Sequence, residues 1–295
     1  MKTNRQQLNM AMVAVITLVL LTSAIAHADN IYVSCCYNQY ASNGTIEKFD
    51  SGGNMSTFAS GLVPSGLAFD RSGNLYVGNY YDGTIDKFDS SGNRSTFASG
   101  LNTPTGLAFD TSGNLFVANC GDNTIKKFDL SGNMSVFASV DHPDGIAFDS
   151  SGNLYVACWY SRSIEKFDSS GNMSVFASGL VDEPWGLAFN SIGNLYAAIG
   201  EQGDEIDKFD SSGNRSTFAS GLENTLSGLA FDSGDNLYVG CWRSGTIDKF
   251  DSSGNMSIFA SGLNNPQFIA VQVPEPATMS LLAFGGLSLL RRRRA

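Results

Sequence analysis

Basic residues are scarce in this chain of 295 residues, which has 18 Lys and Arg against 28 Asp and Glu. Six of the 18 lie at the ends, at Lys2, Arg5 and 291–294. The rest of the chain therefore has 12 basic residues against 28 acidic ones. A surface with this balance repels phosphate backbones, so the composition argues against a nucleic-acid partner.

Histidine is rarer still, since the chain has two, His27 and His142. A Ser-His-Asp or Cys-His nucleophile in the body of the chain would have to use His142. The spacing of the five cysteines, which lie at 35, 36, 120, 158 and 241, fits no zinc motif. The five are an odd number, so at least one stays unpaired or bonds outside the chain. Pairing of Cys35 with Cys241 remains open.

Glycine, tyrosine and phenylalanine are abundant, whereas charged residues make up only 16% of the chain. With 32 Gly, 20 Phe and 10 Tyr, the composition favours strands and tight turns over helices. The apolar fraction of 42% is sufficient for a real core, which excludes disorder as the main state. We therefore expect an all-β protein.

The first 28 residues have the pattern of a signal peptide. Lys2 and Arg5 precede an apolar run at 10–21, and Ala26-His27-Ala28 has the small-x-small form that signal peptidase accepts. We predict cleavage after Ala28. A retained anchor is the weaker alternative because the apolar run is short for a bilayer span.

The last residues form a three-part tail. Pro274-Glu275-Pro276 leads into an apolar stretch at 279–290, and four arginines follow at 291–294. This order resembles the PEP-CTERM sorting signal of bacterial envelope proteins, with Pro274, Glu275 and Pro276 as its tripeptide. The resemblance implies recognition by an exosortase, a membrane peptidase, and delivery to the cell envelope, cell surface or extracellular matrix. An unprocessed tail anchor is the alternative. We assign 274–295 to this tail.

The segment between the ends is a repeat. Gly-Leu-Ala-Phe-Asp at 66–70 recurs with small changes at 106–110, 145–149, 186–190 and 228–232, at steps of 39 to 42 residues. Each copy continues with three further short runs that are rich in aromatic and β-branched residues and are bounded by Gly, Asn, Asp and Ser. Each run is typical of a strand, so one unit predicts a four-stranded sheet.

The incomplete units at the two ends predict how the fold closes. The first copy begins at its second strand, at 30–33, and the last copy ends after its first strand, at 268–271. Together they complete a sixth sheet, which leaves no free first or last blade. We predict a six-bladed β-propeller over 29–273, with four antiparallel strands per blade and the C-terminal strand paired to the N-terminal blade.

The repeats at 104–110, 113–119 and 124–129 resemble NHL repeats and, more broadly, propellers of the SMP-30/gluconolactonase-like superfamily. Such propellers host lactonases, lyases and binding modules, so fold alone does not assign function. In the enzymes of that superfamily a divalent metal is held by side chains that directly precede the Gly of the first strand. The equivalent positions are Ser65, Thr105, Asp144, Trp185, Ser227 and Gln267. Only Asp144 fits, so we expect no cofactor, with a calcium or zinc ion at Asp144 as the alternative.

The second turn of each unit and the link between units vary, and both should lie on one face of the propeller. All three tryptophans map there. The predicted ligand-binding residues are Tyr80, Tyr81, Trp159, Tyr160, Arg162, Trp185, Trp242 and Arg243. Exposed aromatics rimmed by polar groups indicate a recognition surface, and packing at the mouth of the channel is the competing interpretation.

Three functions remain open. The first is an exported binding or scaffold module for an envelope polysaccharide or protein, which contacts the membrane only through the signal peptide and the tail. The second is a metal-dependent gluconolactonase-like hydrolase or a lyase centred on Asp144, with His142 as a candidate acid or base. The third is a structural component of the matrix without a discrete ligand, which the near-identical repeats favour.

Overall fold

In the computed structural model, residues 29–36, 43–50, 52–200, 204–222 and 225–273 are described. They form six four-stranded antiparallel sheets, which we number as blades 1 to 6. Blade 1 consists of β24 (Pro266–Gln272), β1 (Asn30–Cys35), β2 (Gly44–Phe49) and β3 (Met55–Leu62). The all-β six-bladed propeller predicted from the repeat is confirmed.

The other five blades follow in chain order, each built from four consecutive strands. Blade 2 contains β4 (Pro64–Phe69), β5 (Leu75–Asn79), β6 (Thr84–Phe88) and β7 (Arg94–Ala98), and blade 3 contains β8 (Pro104–Phe109), β9 (Leu115–Asn119), β10 (Thr124–Phe128) and β11 (Met134–Ser139). Blade 4 contains β12 (Pro143–Phe148), β13 (Leu154–Cys158), β14 (Ser163–Phe167) and β15 (Met173–Ala177), and blade 5 contains β16 (Pro184–Phe189), β17 (Leu195–Ile199), β18 (Glu205–Phe209) and β19 (Arg215–Ala219). Blade 6 contains β20 (Leu226–Phe231), β21 (Leu237–Cys241), β22 (Thr246–Phe250) and β23 (Met256–Ala260).

Helix is nearly absent from the described part of the chain. A single 3-10 turn, Cys120–Asp122, precedes β10. Within those residues, no helix has the length and apolar character needed to span a membrane.

The ring closes through blade 1, as the incomplete end units predict. β24 pairs antiparallel with β1, with Ile31 opposite Val271 and Val33 opposite Ile269. The first strand of every blade contacts the first strand of the next blade, and β24 contacts β4. The six innermost strands therefore surround a central axis with no unpaired end.

The hairpin turns follow from one repeated sequence chemistry. In the turn after β4, Asp70 Oδ1 accepts hydrogen bonds from the backbone N–H groups of Ser72 and Asn74, both at 2.9 Å. Its Oδ2 accepts one from the Asn74 side chain at 2.7 Å. Gly73 has a φ of +77°, which glycine adopts without strain. The Asp, Gly and Asn of this turn, which recur with small changes in the other blades, thus specify a tight turn.

Aromatic side chains join neighbouring blades. Tyr76 on β5 packs edge-on against Phe97 of its own blade and Phe109 of the next, with both ring centroids 5.0 Å away. Lys87 Nζ lies 5.2 Å from the centroid of the same Tyr76 ring. Equivalent clusters recur around the ring, and six apolar cores each combine residues of two adjacent blades. The core is therefore distributed between the blades, so each blade depends on both neighbours.

The innermost strands approach too closely to admit a side chain at the repeated glycine. A Cβ placed on Gly145 of β12 would overlap the carbonyl oxygen of Trp185 on β16, and Gly66, Gly106, Gly186 and Gly228 make the same approach to the next blade. Blade 1 has Phe268 at this position. Its side chain is half-buried and packs with the core between blades 1 and 2.

Candidate functional site

A pocket of about 560 Å³ opens at the centre of the ring. The residues that line it are Cys36, Val63, Pro64, Ser65, Tyr80, Thr105, Cys120, Asp144, Trp159, Trp185, Thr225, Leu226, Ser227, Gly228, Trp242, Gln267 and Phe268. Most of them occupy one of two repeated positions in the blades. The pocket is therefore a product of the repeat, made specific by the residues that differ between copies.

The inner ring of the pocket is formed by the residue that precedes the glycine of each first strand. These residues are Gln267, Ser65, Thr105, Asp144, Trp185 and Ser227, one from each of blades 1 to 6, and all six line the pocket. In three blades the residue is a hydroxyl that binds the next blade. The side chains of Ser65, Thr105 and Ser227 donate to the carbonyls of Pro104, Pro143 and Pro266 at 2.6, 3.2 and 2.9 Å.

The upper ring comes from the residue that directly follows the second strand. Cys36, Tyr80, Cys120, Trp159 and Trp242 hold this position in five blades and line the pocket. The backbone N–H groups of Tyr80, Trp159 and Trp242 donate to the carbonyls of Val63, His142 and Thr225 at 2.9, 3.1 and 2.9 Å. Each aromatic residue is thus anchored to the link that enters its own blade. Blade 5 has Gly200 here, beside the Asp182 side chain.

Among the described residues that line the pocket, Asp144 is the only Asp, Glu, Lys or Arg. The residue is 6% exposed, and its Oδ1 is buried without a hydrogen-bond partner among the described residues. Burial raises the pKa of this carboxyl to about 7. Cys120 faces the same space, and burial together with the charges of Asp144 and Asp141 raises the pKa of its thiol to about 11. Both groups are held in an environment that disfavours charge.

Two tryptophans form a contiguous wall beside Asp144. The rings of Trp159 and Trp185 meet edge to face, with their centroids 6.1 Å apart. The Nε1 atoms of both tryptophans are buried and have no hydrogen-bond partner among the described residues. The same is true of Thr225 Oγ1. Trp242 is 38% exposed at the mouth. Polar groups left unpaired in a pocket are unusual, because an unmade buried hydrogen bond costs free energy.

Four of the eight predicted ligand-binding residues, Tyr80, Trp159, Trp185 and Trp242, line the pocket. The other four lie outside its lining. Tyr81 packs edge-on against Tyr80, Tyr160 is 73% exposed, and Arg243 is exposed. Arg162 forms ion pairs with Asp182 and Glu183 at 3.3 and 3.6 Å. These four residues remain predicted contacts for a ligand larger than the pocket.

His142 lies on the link before β12, in the left-handed region with a φ of 41°. Its Nδ1 is 2.7 Å from Asp141 Oδ1, and its ring packs against Tyr160. The carboxylate that orients this imidazole is therefore that of Asp141. Asp144 faces the pocket instead. A proton relay between His142 and Asp144, the pair predicted as catalytic candidates, has no hydrogen bond to support it in the described part of the chain.

Cys35, Cys120, Cys158 and Cys241 are free thiols. Cys35 and Cys241, which hold equivalent positions in neighbouring blades, each lie in a different apolar core. Burial raises the pKa of both thiols to about 12, so they act as small apolar side chains at neutral pH.

Thr225 and Phe268 are two of the lining residues that were not singled out as site residues from the sequence. Phe268 carried a signal, because it stands where the other five blades have glycine. Thr225 lies directly before β20 and gave no signal, since the links between the blades share no pattern. The predicted cleavage site at Ala28 and the tripeptide Pro274, Glu275 and Pro276 lie outside the described residues.

The donors in the pocket do not form a cage for a divalent metal. A hard cation requires several oxygen ligands, and the inner ring supplies one carboxylate, from Asp144. The hydroxyls of Ser65, Thr105 and Ser227 are already directed at backbone carbonyls. Among the residues the structure describes, no group of three His, Cys, Asp or Glu side chains is placed to hold a metal ion.

Comparison with known protein families agrees with the propeller fold and with the predicted C-terminal sorting tail. Residues 101–128 match the family model of the NHL repeat, and residues 272–294 match that of the PEP-CTERM protein-sorting motif. A search of curated protein sequences gave no significant match.

Solved structures share the propeller. A chain in a nidogen/laminin complex is 21% identical, with a TM-score of 0.72 over 83% of this chain and 98% of that one. A gluconolactonase from Xanthomonas campestris is 18% identical, with a TM-score of 0.63 over 70% and 78%. A virginiamycin B lyase from Staphylococcus aureus is 15% identical, with a TM-score of 0.60 over 70% and 73%. At these identities the likeness shows the fold.

The sorting motif indicates export and association with the bacterial cell envelope or surface, and it implies processing by an exosortase. The chain is therefore an exported six-bladed β-propeller with an NHL repeat at 101–128 and a PEP-CTERM protein-sorting motif at 272–294.

Proposed function

We propose that this propeller is a binding module of the bacterial envelope and that its central pocket holds part of an envelope polysaccharide. One observation carries the proposal: all three tryptophans of the chain line one pocket of about 560 Å³. That volume falls in the range of small-molecule sites, which is about 300–1,000 Å³.

The distribution of residues in the repeat supports a binding role. The turn residues Asp, Gly and Asn are nearly the same in every blade, whereas the position after the second strand is Cys, Tyr, Cys, Trp, Gly and Trp around the ring. Large aromatic side chains here are not needed to close the ring, because blades 1, 3 and 5 close with Cys or Gly. Their presence in blades 2, 4 and 6 is accounted for by contact with a ligand.

Replacing Trp159 or Trp242 by alanine should strongly weaken retention of the full chain on immobilised envelope polysaccharide. Each indole provides an apolar face for a sugar ring, and we expect retention to fall at least about tenfold, a loss of about 1.4 kcal/mol. The measurement compares bound fractions at matched protein concentration. Ile192→Ser serves as the control because Ile192 is 75% exposed on a hairpin turn and does not line the pocket.

Thermal melting shows whether each variant folds, so that lost retention can be assigned to the pocket. Retention that is unchanged in both folded tryptophan variants would remove the pocket from the account. If the chain instead binds an envelope protein through these tryptophans, the binding surface is still correct and the class of ligand is a protein.

A second candidate is an enzyme, and the position of Asp144 favours it. A carboxyl with a pKa of about 7 in a pocket can exchange protons near neutral pH. The similar folds of a gluconolactonase and a virginiamycin B lyase suggest lactones as substrates to assay. Turnover by the full chain that disappears in Asp144→Asn would establish this function. An inactive chain that still binds polysaccharide would reject it.

A further inference from the structure

Asp144 lacks a counter-ion in the structure. Among the described residues that line the pocket there is no Lys or Arg. Arg162, which lies on the same face of the propeller, is paired with Asp182 and Glu183. A buried carboxylate without a positive partner is costly, and proteins normally pair such groups or neutralise them. A cationic ligand would supply the missing charge.

The walls of the pocket suit a ring with apolar faces. Tyr80, Trp159, Trp185, Trp242 and Phe268 all contribute to the lining. Aromatic faces attract both the C–H surface of a sugar and a nearby ammonium group, because the π-system carries partial negative charge. The excess of acidic over basic residues in the chain favours a cationic ligand as well.

Unpaired donors in the same walls call for acceptor oxygens on the ligand. Trp159 Nε1, Trp185 Nε1 and Thr225 Oγ1 are buried without a partner among the described residues. The protein covers these atoms, so a ligand would reach them after small rotations of the side chains. No hydrogen bond holds either indole N–H in place against such a rotation.

We propose that the pocket recognises a protonated amino sugar, with its ammonium group paired to Asp144 and its oxygens accepting from the two indole N–H groups and the Thr225 hydroxyl. This inference rests on the proposed binding function and names the ligand class. A neutral sugar would leave Asp144 without a counter-ion. A quaternary ammonium ion would leave the three donors unpaired, since it has no acceptor oxygen.

Three β-1,4-linked disaccharides that differ only at carbon 2 test the inference. Diglucosamine carries a free amine, N,N′-diacetylchitobiose carries an amide, and cellobiose carries a hydroxyl. The full chain, in a detergent without a sugar headgroup, is titrated with each at pH 7 by calorimetry. We expect diglucosamine to bind at least about tenfold more tightly than either of the other two, as a charge-assisted hydrogen bond predicts.

Asp144→Asn should remove this preference, so that the variant binds diglucosamine no better than cellobiose. Asp82→Asn is the matched control. Asp82 is exposed on the second turn of blade 2, on the same face of the propeller, and does not line the pocket. Asp82→Asn makes the same chemical change at an exposed position, so a general electrostatic effect of losing a negative charge would appear in that variant as well.

Equal affinity for the three disaccharides, or a preference for the amine that survives Asp144→Asn, would overturn the inference. No binding of any of the three would overturn it also. The proposed function is tested separately, because retention on envelope polysaccharide that depends on Trp159 and Trp242 would still stand after either result. If the wild-type chain is not retained on envelope polysaccharide at all, the proposed function itself is wrong.

Discussion

Asp144→Asn is expected to increase the stability of the propeller, and to increase it clearly more at pH 8 than at pH 5. Burial without a cation raises the pKa of this carboxyl from 3.8 to about 7. Between these two values the folded chain binds more protons than the unfolded chain, so the free energy of unfolding falls as the pH rises. Above pH 7 the penalty is complete, on the order of 4 kcal/mol at 1.36 kcal/mol per unit.

Urea denaturation of the wild type and the variant at pH 5 and pH 8 measures the effect. The other titrating groups are common to both proteins, so the change in their difference with pH reports Asp144. Cys120, which faces the same pocket, stays protonated over this range because its pKa is raised to about 11. A difference between the two proteins that does not grow from pH 5 to pH 8 would contradict the burial of an unpaired carboxylate.

Together with its effect on binding, this result would identify Asp144 as a residue that costs stability for the sake of a ligand. A variant that is more stable and no longer prefers the amine cannot have lost binding through misfolding. Such exchanges of stability for function are common at binding and catalytic sites.

Gly145→Ala is expected to destabilise the ring by several kcal/mol or to prevent its closure. A Cβ at this position would overlap the carbonyl oxygen of Trp185. The same Cβ would lie only 3.1 Å from Gly186 Cα and from Leu187 N. These are backbone atoms of the neighbouring innermost strand, so rotation of a side chain cannot relieve the overlap. Blade 4 would have to move away from blade 5, which disrupts the core between them.

The matched control is Gly234→Ala, in the turn after β20. Its nearest neighbours would be the side-chain atoms Asn236 Nδ2 and Asp232 Oδ1 at 3.2 and 3.3 Å, which can shift. Denaturation midpoints of the two variants compare a backbone overlap with a side-chain contact. If Gly145→Ala is no less stable than Gly234→Ala, the close approach of the innermost strands is not required for the fold.

The repeat made the fold predictable from the sequence. A period near 40 residues, four strand-like runs per unit and complementary fragments at the two ends predict six blades and a ring closed by β24. These features depend on local chemistry that recurs, such as the Asp, Gly and Asn of the hairpin turns. A strand or turn that is poorly marked in one copy can be recognised from the equivalent segment of the other copies.

The site was less predictable because its properties depend on contacts between blades. The positions that face the axis could be predicted, including Asp144 and Trp185. The sequence did not show that Arg162 pairs with Asp182 and Glu183, since this requires the loops of two blades to meet. It also did not show that His142 hydrogen-bonds Asp141 instead of Asp144.

The most direct test of the binding account is intrinsic tryptophan fluorescence of the full chain during titration with isolated envelope polysaccharide. All three tryptophans line the pocket, so a ligand that enters it changes the surroundings of every tryptophan in the protein. Binding in the pocket should produce a saturable change in the emission spectrum, and this change should be reduced in Trp159→Ala. A flat titration, under conditions in which the chain is retained on the immobilised polysaccharide, would show that binding occurs away from the pocket. That result would contradict the proposed binding function.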